Sequence, residues 1–231
     1  MAASDLVSHI KGKQGQIEGL VNALFGYVPL SKPTVFYGRM YEFGLIFPEE
    51  AKADEMPVGM YLHADRNIYI DVEALIKGAK IAKRSGVMIN PTYEIERVLA
   101  KEYAHYIHDS LGNFETYKFT AITQEDAMRN FEQLATWMAR AEPTGYVAML
   151  RVAKQLNHRD DYQRSVETVL LEARQAILDN YQKLQDHPLA LLRGVALGDC
   201  LTLIRQVQTL SLDDFKNWVR EPISWAKEAQ S

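Results

Sequence analysis

Apolar positions recur along the N-terminal stretch at spacings near 3.6. Leu6, Ile10, Ile17, Leu20, Val21 and Leu24 form one stripe, Ser4 is placed to cap it and Gly26 to end it, which predicts a helix. The pattern then shortens. Residues 34–37, "TVFY", and 40–47, "MYEFGLIF", are aromatic or branched and are interrupted by Gly38 and Gly44, the composition of strands or extended segments. Beyond the polar loop "PEEAKADEMP", residues 58–72 read "VGMYLHADRNIYIDV". Two apolar runs flank the turn-forming "ADRN", the clearest hairpin signal in the chain. A short helix over 73–84 follows, and Gly86 breaks it.

The next segment, "INPTYEIERVLAKEYAHYIHDSLG", opens with Asn90 as cap and Pro91 at the first helical position, and closes at Gly112. Its apolar residues (Ile95, Val98, Leu99, Ala100, Tyr103, Ala104, Tyr106, Ile107, Leu111) lie nearly all round the helix, as in a buried central helix. Any polar group on it therefore needs a partner. Helical periodicity continues at 123–141, 144–157, 160–185, 188–209 and 212–220, with no strand signal among them. The expected class is α+β. A small sheet packs on a buried helix within residues 1–142, and a helical region over 143–231 packs against it.

Hydrophobic residues at 47% and charged residues at 24% fit a soluble globular chain. The net charge of −4, without a basic patch interleaved with aromatics, gives nucleic acid no footprint. The cations of "KGAKIAKRSG", residues 77–86, suit a solvated helix face. No apolar run approaches the ~18 residues of a membrane span. A single cysteine, Cys200, and an N-terminus without a signal-peptide core point to a cytoplasmic protein. Cys200 sits in apolar "GVALGDCLTLI", where a small buried hydrophobe is expected.

Candidate chemistry centres on "KEYAH", residues 101–105. Lys101 and His105 are four apart and His108 is three further on, so all three point roughly the same way, with Glu102 at the edge of that face. The following helical pattern carries Glu125 and, seven positions later, Glu132. With histidine at 101 the string would be H-E-x-x-H, two imidazoles on one helical face with a glutamate beside them.

This order of helix, strands, hairpin, buried motif helix and glutamate-bearing helix resembles the zincin-like metallopeptidases of the gluzincin type, over roughly residues 1–140. The resemblance implies that His105 matches the second zinc histidine, Glu102 the general base and Glu125 the third ligand. Lys101 stands where the first histidine would be. It also implies that residues 58–64, with Tyr61 and His63, offer an exposed edge to which a peptide strand is added.

The lysine decides how the resemblance is read. An ammonium about 4 Å from a zinc dication is repelled by roughly 8 kcal/mol at an effective dielectric near 20. A neutral amine ligand requires deprotonation at about 4.6 kcal/mol at pH 7. Swinging the side chain away leaves only His105 and Glu125. The simplest accommodation is that Lys101 replaces the metal as the cation facing Glu102 or Glu125. The expectation is a catalytically inactive metallopeptidase homologue, with Glu102 a vestigial base, no cofactor, and a protein or peptide as partner rather than nucleic acid or membrane.

The alternative is an active zinc peptidase with a shifted ligand set, His105 and Glu125 with His108, or Glu132 in place of Glu125. A di-iron carboxylate bundle needs a second E-x-x-H, which the chain lacks. His9, His158 and His187 assemble no site by spacing, and Trp137, Trp218 and Trp225 suit a core.

Overall fold

The computed structural model describes residues 2–45, 58–84, 89–113, 131–158, 202 and 204–220. They form a mixed α+β structure, mostly helical, with one three-stranded sheet. The chain divides into two units, residues 1–107 with 151–158, and 108–150 with 159–231.

In the first unit, helix α1 (Ala3–Phe25) buries Leu6, Ile10, Ile17, Val21, Leu24 and Phe25, the stripe the sequence displays. It starts one residue before the expected Ser4 cap, because the Asp5 carboxylate reaches back to accept the Ala2 N–H at 3.2 Å. Gly26 ends it in the left-handed region (φ 58°), and the Tyr27 N–H returns to the Asn22 carbonyl.

Strands β1 (Val35–Gly38), β2 (Gly59–Leu62) and β3 (Asn67–Asp71) lie in the order β1-β3-β2. The central β3 runs parallel to β1, with Phe36 opposite Tyr69, and antiparallel to β2, with Tyr61 opposite Ile68. The β2–β3 hairpin is the one read from "ADRN". Its Asp65 side chain accepts the Asn67 N–H at 3.0 Å and Arg66 adopts φ 60°. Residues Met40–Phe43, expected as extended, instead make a 3-10 turn. Local polar contacts outweigh β propensity there: the Glu42 carboxylate accepts the Arg39 N–H at 3.4 Å, and Gly44 closes the turn at φ 70°.

Asp71 joins strand to helix. Buried at the end of β3, it accepts the Met40 N–H on Oδ2 at 3.0 Å and the Ala74 N–H on Oδ1 at 2.8 Å. It thereby caps α2 (Val72–Arg84) and anchors the 3-10 turn.

Helix α3 (Pro91–His108) begins as the sequence predicts, with Asn90 Oδ1 accepting the Thr92 N–H at 3.0 Å. Ile95–Ala100 and Glu102–His108 are all buried, and the helix passes into a π-helical turn, Asp109–Asn113. Its contact with β2 is close. A Cβ on Gly59 would stand 2.4 Å from Val98 Cγ1 and 3.0 Å from Glu102 Cγ. Gly59→Ala is accordingly expected to lower stability by about 1–3 kcal/mol in urea denaturation, since Val98 is too short to swing aside.

Helix α4 (Phe131–Gln155) runs through Pro143, where the sequence suggests a break between two helices. Proline removes one backbone donor, and burial of Val147, Ala148, Met149 and Leu150 beyond it offsets that loss. The expected boundary at 142/143 therefore falls inside a helix. In the second unit, α5 (Leu212–Arg220) is capped by Ser211, whose hydroxyl accepts the Asp214 N–H at 3.1 Å, and buries Phe215 and Val219. The Phe215 and Trp218 rings stack 6.3 Å apart. Glu125, Cys200, His187, Trp225 and the helix expected over 160–185 lie outside the described residues, as do the side chains of Glu132 and Trp137.

Candidate functional site

Lys101, Glu102 and His105 lie in the C-terminal half of α3, where Glu102 meets the hairpin. The Glu102 carboxylate is buried, its side chain 5% exposed. Oε2 accepts the backbone N–H of Tyr61 on β2 at 2.8 Å, and Oε1 lies 3.8 Å from Lys101 Nζ. Lys101, 19% exposed, thus stands beside Glu102 with its cation facing the carboxylate. Of the two carboxylates expected to face Lys101, Glu102 is the one among the described residues, and Glu125 lies outside them.

The same contact bears on the peptide edge. β2 lies at the side of the sheet, and Tyr61 directs its N–H away from β3. That N–H is occupied by Glu102, and Gly59 next to it is crowded by Val98. The edge expected to be open is therefore closed at Tyr61 by the motif helix itself. The Tyr61 ring meets Tyr106 edge-on at 5.9 Å and 77°, and the Arg66 guanidinium lies 5.4 Å over the Tyr106 ring. His63, just past β2, is half-buried.

His105 is fully buried. Desolvation, reinforced by the Lys101 charge, holds its imidazole well below the ordinary histidine value, so it is uncharged at neutral pH. His108 is also buried, in the last turn of α3, and belongs to the second unit. A neutral imidazole at 105 is in the protonation state that binds metal. An ammonium one turn earlier would not be a zinc donor and would repel a dication at short range. Among the described residues no group of three or more His, Cys, Asp or Glu side chains is arranged to hold a metal ion.

Spacing rules also missed a polar cluster elsewhere on α3. Glu96 receives His9 from α1 and His158 from beyond α4, each at 2.7 Å. Partners separated by 87 and 62 residues carry no local sequence signal. A separate cavity of about 290 Å³ beside the start of α1 is lined by Ser4, Tyr37, Arg39 and Glu73. Its one cation is already committed, since Arg39 Nη2 lies 2.5 Å from Glu73 Oε2.

The class defined by this fold and site is an α+β protein whose buried motif helix carries a lysine–glutamate pair bonded to a sheet edge. No protein-family model, curated protein or solved structure matches the chain. Among the described residues no helix is long and apolar enough to cross a membrane.

Proposed function

We propose that this chain is a degenerate zincin-like protein, a catalytically inactive relative of metallopeptidases that serves as a binding or interaction scaffold for a protein or peptide. One observation carries the reading. Lys101 stands 3.8 Å from Glu102 Oε1 while Glu102 Oε2 holds the Tyr61 N–H. A general base must reach a metal-bound water with an available carboxylate oxygen. Here both oxygens face groups of the protein, so Glu102 acts in place as a tie between helix and sheet. Lys101 supplies the positive charge that a metal would otherwise bring to the buried carboxylate.

Elemental analysis of protein purified without chelator or added metal tests the proposal, with Lys101→His measured alongside. The expected result is no zinc in the parent and zinc approaching one per chain in the variant. Stoichiometric zinc in the parent that disappears in His105→Ala would overturn the inactive reading and make peptide hydrolysis the next assay.

A further inference from the structure

Glu96 is a buried carboxylate gripped from both sides by imidazoles. His9 Nε2 donates to Oε1 and His158 Nε2 to Oε2, each over 2.7 Å. The side chains of Glu96 and His158 are 6% and 2% exposed, whereas His9 is 31% exposed. His158 is held further by the Tyr93 ring, stacked at 4.2 Å and 13°. The chain delivers it there through Asn157, whose φ of 57° ends α4 in the left-handed region that asparagine tolerates. On α3 itself, Glu94 and Arg97 pair with each other at 3.4 Å, and the Arg97 guanidinium lies over Tyr93. Among the described residues, the charged groups acting on Glu96 are His158 and His9.

We propose that this bridge is an acid-released latch: it fixes residues 151–158 on α1 and α3 while Glu96 is ionised, and lets them go when Glu96 takes up a proton. The reason lies in counting donors. An ionised carboxylate offers one acceptor oxygen to each imidazole. At a pH low enough to protonate it, an imidazole is an imidazolium, which has donors only. The carboxyl O–H then confronts an N–H, one bridge loses its acceptor, and the positive rings lose their counter-ion. His9 is exposed enough to be hydrated where it stands. His158 is not, since its ring is sealed against Tyr93 and its Nδ1 has no hydrogen-bond partner among the described residues. The segment that carries His158 is therefore the part that leaves.

Burial by itself raises the Glu96 pKa, but the hydrogen bonds and charges of His158 and His9 outweigh it and hold the group below its ordinary value. A depressed carboxylate pKa places the stabilisation at and above the ordinary carboxylate range. It is lost as pH falls through the depressed value. The latch is thus closed at neutral and mildly acidic pH.

Hydrogen exchange of the full chain, corrected for the intrinsic pH dependence of amide exchange, tests this. Protection of residues 151–158 should hold from neutral pH through the ordinary carboxylate range and fall by about tenfold or more below it, while β3 and α1 stay protected. Glu96→Gln keeps both contacts only while the imidazoles are neutral, because its amide offers one acceptor and one donor face. Its release should therefore come at a higher pH than in the parent, by at least about one unit. Loss of protection in 151–158 only together with β3 and α1, or an unchanged midpoint in Glu96→Gln, would overturn the latch. Should Glu96→Gln fail to fold, His158→Gln decides. A glutamine amide at 158 can donate to the ionised carboxylate and accept from the protonated one, so the separate acid step in 151–158 should disappear, and its persistence would refute the proposal.

Discussion

Replacing Glu102 with alanine is expected to destabilise the protein by about 2–4 kcal/mol, a loss large enough to see as a shift of the urea midpoint. The side chain is nearly inaccessible to water, and at least two groups depend on it. Tyr61 loses the acceptor of its N–H on a strand edge that α3 covers, and the Lys101 ammonium loses the carboxylate at 3.8 Å. Glu102→Gln should cost less, about 1–2 kcal/mol, because its amide oxygen still accepts from Tyr61 while only the charge facing Lys101 is gone. The order alanine worse than glutamine worse than parent is the result that matters. A glutamate kept for catalysis tolerates glutamine with little change in stability and loses activity instead. If both substitutions leave the urea midpoint unmoved, the carboxylate is not a tie between helix and sheet, and the inactive reading loses its main support.

What could be read in advance divides by the range of the interactions involved. Patterns written within a few residues were legible: the α1 stripe ending at Gly26, the Asn90–Pro91 start of α3, the hairpin around Asp65 and Arg66, and the burial of α3 on all sides. Each rests on periodicity or on a side chain bonding its own neighbourhood. Met40–Phe43 was misread for the same reason in reverse. Its aromatic composition suits a strand, but the Glu42 contact to Arg39 and the Asp71 contact to the Met40 N–H close a turn there. One of those partners lies 31 residues away. Continuity of α4 through Pro143 was equally hidden, because the burial that offsets the lost donor is tertiary. At the candidate site charge alone indicated a carboxylate beside Lys101, with Glu102 and Glu125 both open as its partner. That the other oxygen would close the β2 edge at Tyr61 did not follow. It depends on how closely Val98 and Glu102 approach Gly59, a distance that no spacing encodes. The Glu96 bridge depends wholly on the packing of three distant segments.

Asp71 is where the second large effect is expected. Asp71→Ala should lower stability by about 2–4 kcal/mol, because it strips the acceptor from two backbone N–H groups at once. One is that of Ala74 in the first turn of α2. Losing its cap frays that helix from the end that follows β3 directly. The other is that of buried Met40, at the start of the 3-10 turn after β1. The two oxygens have separate tasks, so Asp71→Asn is the informative comparison. Its single carbonyl can serve one N–H and its amide nitrogen then opposes the other, for an expected loss of about 1–3 kcal/mol. Hydrogen exchange should show where the damage falls, with faster exchange in the first turn of α2 and at Met40 while the Tyr61 amide is unchanged. Slower or unaltered exchange at Ala74 and Met40 would mean that the carboxylate is not what joins strand, turn and helix. The sheet would then be oriented against α3 by packing and the Glu102 tie alone. On the expected result, two buried acids hold the small sheet in place. Asp71 fixes the end of its central strand, and Glu102 fixes its edge on the motif helix. Two carboxylates so engaged both serve in architecture, and in this fold it is Lys101 that makes such a use of Glu102 electrostatically affordable.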